Sequence, residues 1–333
     1  MNADKTDFQG ELLFNRLTKR YRHLKKWARR TGTNAFRLYD RDIPEIPLVL
    51  DLYDDAVSGA VYKRHMGLRP VENVDETEQD ELWLRAMKSA VAKAMEIPED
   101  RIFLKERQRM RNRQETGNQY SKIKNRNFYR DVIEGDLKFR VNLSDYLDTG
   151  LFLDARKKRA LIRIEARGKR VLNLFAYTCS LSVAAAVGGA KQVDSVDLSN
   201  TYLEWGRVNF ALNGLSLSDK FSLIRNGVTQ FINQAILRKS RWDIIILDSP
   251  SFSNSKKTPE TLDIRRDYRE LIGRSLKLLS PAGALYFSTG AKGFHFQNED
   301  FPGFIIKDLR PSLVDEDFKG KRIPACYKIL QVQ

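Results

Sequence analysis

The chain has 333 residues, with 58 Lys and Arg against 43 Asp and Glu for a formal net charge of +15, so it has room for two domains and a self-repulsion that an enzyme of small neutral metabolites gains little from. No apolar run approaches the roughly 18–20 residues of a membrane span, and the start, MNADKTDFQGE, is polar and partly acidic. Two distant cysteines, Cys179 and Cys326, and three scattered histidines support neither a disulfide framework nor a metal cluster. These features predict a cytoplasmic protein with a polyanionic partner, no membrane and no metal.

Residues 15–30, NRLTKRYRHLKKWARR, carry eight Lys or Arg, while Phe14, Leu17, Tyr21, Leu24 and Ala28 recur at spacings of three and four. That pattern predicts an amphipathic helix with a basic outer face, of which Arg20 and Lys26 are candidate RNA contacts; a solvated surface helix is the plain alternative. Residues 46–63 read as two short strands around an acidic turn, and 77–96 as a helix with Leu82, Ala86, Ala90 and Ala94 on one face. The tract 101–130 holds ten Lys or Arg against two acidic residues, with Tyr120, Phe128 and Tyr129 interleaved. Cations neutralise phosphates and aromatic rings stack unpaired bases, so Arg111, Arg113 and Lys122 are further candidate RNA contacts, although a basic loop would look similar and the tract does not separate RNA from DNA. With strand-like pieces at 101–105, 128–134 and 137–143, residues 1–140 are expected to form a small, basic α+β substrate-binding domain.

Over 141–333 apolar runs alternate with helical patterns. Strands are predicted at 171–175, 192–199, 221–226, 242–250 and 284–290, with helices at 180–188, 201–213 and 263–279. This alternation predicts an α/β domain, a doubly wound parallel sheet whose ligands sit beyond the carboxyl ends of the strands. The first strand runs into a polar loop, VLNLFAYTCS (171–180), that lacks the glycines of a dinucleotide loop. Asp197, in SVDLS, lies where a carboxylate can take two ribose hydroxyls, a placement that NAD enzymes share. Asp248 ends the fourth strand in IIILDSPSFSNS; Pro250 stiffens the loop behind it and Phe252 is placed to stack on a planar base, a device suited to an enzyme that draws a nucleobase out of its stack.

Four ordered segments, YLDTGLFLDARKKR (146–159), VLNLFAYTCS, VDLSNTYLEWGRVNFALNGL (196–215) and DSPSFSNSK (248–256), resemble the RlmK/RlmI group of bacterial 23S ribosomal RNA methyltransferases, nearest its guanine-N7 members. The likeness is dense over 140–290 and continues weakly through 15–45. It implies a class I S-adenosylmethionine-dependent methyltransferase domain, Rossmann-like, acting on 23S rRNA before the subunit is fully assembled. It further implies that Phe152 and Arg156 help close over the cofactor, that Asn173 and Phe175 border its methionine part, and that Asp197 binds the ribose. Asn226 would lie near the adenine, Asp248 near the amino group and the target base as the catalytic residue, and Phe252 and Lys256 on the side of the base and RNA. Three departures stand out: Asp-Ser-Pro where the group has Asp-Pro-Pro, RNGV where an acidic residue is common, and STGAKGF where asparagines are expected.

Methylation at cytosine C5 needs a cysteine nucleophile, and the loops after the fourth and fifth strands contain none. Guanine N7 carries an exposed lone pair and no proton, so alignment and charge compensation suffice there. Cys179 is expected to pack rather than react. Two other readings stay open at this point: methylation of another RNA base or of DNA, and an RNA-binding or ribosome-assembly protein with a degenerate cofactor pocket.

Overall fold

A computed structural model describes residues 2–62, 76–107, 126–253 and 261–332. They fall into two compact units, 1–136 with 140–153, and 137–139 with 154–333. The division thus runs between Leu153 and Asp154 rather than at 140, with a three-residue piece of one strand counted in the second unit.

The first unit begins with α1 (Asn2–Thr31), followed by β1 (Ala35–Asp40), β2 (Leu48–Tyr53), β3 (Ala56–Tyr62), α2 (Glu76–Met95), β4 (Ile102–Arg107), β5 (Tyr129–Glu134) and β6 (Leu137–Asn142). The strands β1-β2-β3-β4 form one sheet, antiparallel except for the β3–β4 pair, and β5-β6 form a separate ribbon. The basic helix is about twice as long as its cationic stretch, because Leu13, Leu17, Leu24, Trp27 and Ala28 bury one continuous face. In α2 the buried face is Trp83, Met87, Ala90, Val91 and Met95, while Leu82, expected to face inward, is 53% exposed. The larger Trp83 ring takes the inward position one residue on, and its indole N–H donates to Gln9 of α1 at 2.8 Å. On β1 the Arg37 guanidinium is paired with Asp51 on the neighbouring strand at 2.8 Å. A buried carboxylate, Asp145, ties the end of this unit together by accepting from Ser144, from the Arg126 and Asn127 N–H groups and from the Asn142 amide at 2.6 to 3.0 Å. Burial opposes its charge, yet these donors prevail and lower its pKa to about 2.

The second unit contains α3 (Arg156–Glu165), β7 (Arg170–Leu174), α4 (Ser180–Val187), β8 (Gln192–Asp197), α5 (Asn200–Leu212), β9 (Phe221–Arg225), α6 (Val228–Leu237) and β10 (Trp242–Ser249). A short ribbon of β11 (Phe252–Ser253) and β12 (Leu262–Asp263) leads into α7 (Ile264–Leu276), then β13 (Leu279–Thr289), β14 (Phe304–Asp308), α8 (Arg310–Leu313) and β15 (Ala325–Gln331). The sheet order is β14-β15-β13-β10-β7-β8-β9, parallel from β13 to β9 and antiparallel at β15 and β14. Ile244 to Leu247 are wholly buried, as strands covered on both faces must be. Chain order reverses between β7, which continues to β8 and β9, and β10, which continues to β13, so a ligand crevice is expected at the carboxyl ends of β7 and β10.

Register sets which residues meet there. Leu174 pairs with Val196 and Leu247, Asp197 with Arg225, and Asp248 with Ser288. One step past the last β7 pairs, Ser288, Asp248, Phe175, Asp197 and Arg225 therefore stand in a row along the carboxyl edge. At about 4.8 Å per strand, Asp197 and Asp248 lie about 10 Å apart across Phe175.

Candidate active site at the carboxyl ends of the parallel strands

The loop that follows β7 reaches its shape without glycine. Phe175, Tyr177 and Cys179 all take left-handed backbone conformations, with φ of 58°, 51° and 63°. Each costs about 1–2 kcal/mol for a residue bearing a Cβ, so the surroundings must over-determine the turn. They do so through hydrogen bonds to the main chain: Ala176 N–H donates to Val196 O at 3.0 Å, Cys179 N–H to Ala176 O at 2.8 Å, and the buried Asn209 side-chain amide to Thr178 O at 2.8 Å. Gly206 of α5 lies so close that a Cβ there would stand 2.6 Å from the Cys179 sulfur, and the Tyr177 ring packs edge-on to Tyr202 at 4.6 Å. Cys179 is wholly buried, and burial pushes its thiol well above the ordinary range, with the Asp197 charge adding to the shift.

Asp197 is the hinge of this arrangement. Its Oδ2 accepts from Tyr177 N–H at 2.9 Å and its Oδ1 from Ser199 N–H at 2.8 Å. Burial raises its pKa, against the opposing pull of the Ser199, Tyr177 and Leu198 N–H groups. A carboxylate has about four acceptor sites, so these backbone donors leave acceptor capacity for a ribose hydroxyl. Asn173 sits beneath the loop, 1% exposed; its amide donates to Ser182 Oγ at 2.8 Å and its Oδ1 is a buried acceptor with no partner. Asn226 lies beside this tip, its N–H on Asp197 O at 3.1 Å, but its side chain is turned to Gln234 of α6 at 3.2 Å. Arg156 is buried and committed to Asp315 and Asp317 at 3.0 Å each, so the structure gives it a partner that the sequence did not suggest. Phe152 belongs to the first unit and is 48% exposed.

On the other side of β7, Asp248 is met by two residues the sequence reading passed over. Lys158 Nζ donates to Asp248 Oδ2 at 2.8 Å and to Ser288 Oγ at 2.9 Å, and the Ser288 hydroxyl donates to Asp248 Oδ1. Lys158 and Ser288 are buried while the Asp248 side chain keeps 30% of its exposure. Lys158 was concealed in the run RKKR, which reads as surface charge; only α3 places it against the sheet. Cys326 is the β15 partner of Ser288, and burial pushes its thiol up to about 11. Phe252 is half-buried in the β11–β12 ribbon opposite Asp263, the residue that caps α7. Lys256, Arg111, Arg113 and Lys122 lie outside the described residues. Of the candidate cations on α1, Lys26 is exposed, whereas Arg20 donates from Nε to Leu38 O at 2.8 Å and is largely covered.

The chain matches the family model for S-adenosylmethionine-dependent methyltransferases over residues 89–300. It belongs to that family. The methyltransferase is 42% identical to the ribosomal RNA large subunit methyltransferase K of Neisseria meningitidis, over 95% of this chain and 86% of that protein. It is 38% identical to the ribosomal RNA large subunit methyltransferase K/L of Saccharophagus degradans, over 96% of this chain but only 41% of that longer protein. In fold it is similar to a solved methyltransferase complexed with SAH, with a TM-score of 0.72 at 24% identity over 96% of this chain and 81% of the other. A methyltransferase from Streptococcus mutans gives 0.70 at 23% identity over the same shares.

The site fits this methyltransferase's cofactor, S-adenosylmethionine. Asp197 keeps acceptor capacity for a ribose hydroxyl, and the unpartnered Asn173 oxygen offers an acceptor under the loop that would border the methionine part. Among the described residues no helix is long and apolar enough to cross a membrane.

Proposed function

We propose that this methyltransferase modifies N7 of a guanine in 23S ribosomal RNA, in the cytoplasm and before the large subunit is fully assembled. When bound, S-adenosylmethionine supplies a methyl group on a sulfonium, an electrophile that a ring nitrogen with a free lone pair can attack. Guanine N7 has such a lone pair and surrenders no proton, so the protein has to align the base and offset the positive charge that grows on the purine. The observation that carries this reading is Asp248, a half-open carboxylate at the tip of β10, next to the cofactor loop and braced by Lys158 and Ser288. Both cysteines are buried with raised pKa values, which disfavours a covalent route to a ring carbon. A net charge of +15 and the exposed cations of α1 suit a polyphosphate partner, with Lys26 among the residues that would meet it. Phe252 would stack on the extracted base, and Asp197, Asn173 and Phe175 would hold the cofactor.

The test is mass-spectrometric mapping of ribosomal RNA from cells lacking the protein. One 7-methylguanosine should disappear from the large-subunit RNA and return with the wild-type chain but not with Asp248→Ala. An unchanged modification profile would overturn the assignment.

A further inference from the structure

We propose that Lys158 and Ser288 are positioning residues that lock the Asp248 carboxylate into a two-acceptor edge selective for guanine. The inference rests on the guanine reading above and names what selects the base. An aspartate carboxylate rotates broadly about its last torsion, so alone it presents no fixed pattern to a base. Here both oxygens are engaged from within: Lys158 Nζ takes one site on Oδ2 at 2.8 Å, the Ser288 hydroxyl takes one on Oδ1, and the 2.9 Å bond from Lys158 to Ser288 closes the ring. Of about four acceptor sites, one then remains on each oxygen of a side chain still 30% exposed.

Two adjacent acceptors in a fixed plane match the N1–H and N2 amino donors of guanine. Adenine and cytosine present a donor beside an acceptor, and uracil flanks its single N–H with two carbonyls. Each of these sets an acceptor against an acceptor, which a rigid edge penalises and a freely turning carboxylate would relieve.

The lock is itself built into the fold. Asp248 and Ser288 are register partners on β10 and β13. Lys158 shares a helical face with Glu165, seven residues on, and Glu165 accepts from Lys328 of β15 at 2.7 Å through both oxygens and from the Tyr286 hydroxyl. Tyr286 precedes Ser288 by two residues and so shares its face of β13. α3 is thus fastened to the sheet by an anion at one end and a cation at the other, and the cation is delivered to Asp248.

The experiment measures methyl transfer by the full chain to a 23S RNA fragment carrying either guanosine or inosine at the methylated position. Inosine keeps N7 but lacks the N2 amino group. The wild type should prefer guanosine by about 10- to 100-fold in kcat/KM, the discrimination one bidentate base contact supplies. Lys158→Met and Ser288→Ala should lose most of that preference by losing activity on guanosine, with calorimetric affinity for S-adenosylmethionine unchanged, and Ser288→Thr, which keeps the hydroxyl, should retain it. If Lys158→Met does not fold, Ser288→Ala against Ser288→Thr decides. A wild-type preference that survives in both variants, or a wild type that methylates guanosine and inosine equally, overturns this inference alone. A wild type that methylates no guanine overturns it together with the reading on which it rests.

Discussion

The two sides of β7 present their carboxylates by different means. Toward β8, Asp197 is held by backbone N–H groups from Tyr177 and Ser199, and the loop it organises is shaped by three left-handed residues and a glycine that makes room for a sulfur. Toward β10, Asp248 is held by side chains, an ammonium from α3 and a hydroxyl from β13. A cofactor is the same molecule in every turnover and suits a cradle made of main chain, where a side-chain substitution changes little unless it moves the backbone. A base must be told from three others, and side chains supply that choice in a form a single substitution can alter.

The contrast can be broken most forcefully at Asp197. Asp197→Ala removes the acceptor of both loop N–H groups and the proposed acceptor for the ribose, and affinity for S-adenosylmethionine should fall about 100-fold by calorimetry, the loss of two charge-assisted hydrogen bonds; undiminished binding would place the ribose elsewhere. Next in size is Gly206→Ala, whose Cβ would collide with Cys179 and should cost about 2 kcal/mol in denaturant unfolding and weaken the cofactor site. A second change, Cys179→Gly, should recover most of that loss, and two additive penalties would show that the pair is not coupled.

On the opposite side, Glu165→Gln should destabilise by about 1 kcal/mol and leave cofactor affinity untouched. Burial opposes the Glu165 charge, but Lys328 and Tyr286 outweigh it and hold the carboxyl below the usual range. Its contribution is therefore present above the ordinary glutamate range and is lost as pH falls through the depressed value, so the variant's stability should decline less steeply in acid. The smallest effect is the pH dependence of cofactor binding. Burial raises the Asp197 pKa, so the carboxylate takes up its proton at a higher pH than an ordinary aspartate, and affinity should fall as pH drops through that raised value. A binding titration across pH should show this limb in the wild type and not in Asp197→Asn.

Much of the frame was legible in the sequence because period and punctuation carry it. VLNLF, SVDLS and WDIIILDSP read as buried strands, and each ends where Phe175, Asp197 and Asp248 now line one edge. The helix α3 was not legible, because RKKR looks solvated, whereas its Arg156 and Lys158 are bonded to Asp315, Asp317, Asp248 and Ser288, between 90 and 161 residues away. The inward face of α2 was misread by one residue, since spacing alone did not tell that Trp83 rather than Leu82 would find a hydrogen-bonding partner on α1. Arg20 was expected to contact RNA because of its charge and Arg156 to close over the cofactor because of the family resemblance, and each is bonded within its own unit.

The sequence by itself determined the alternation of strands and helices, the basic surface, and the carboxylates at the strand ends, all of which follow from local hydrophobic period and residue type. Tertiary structure alone decided how those carboxylates are aimed. The left-handed loop, the fit of Gly206 against Cys179 and the clasp of Lys158 and Ser288 on Asp248 each depend on groups brought together by sheet register. A buried charge or a strained turn persists only when such distant partners are in place.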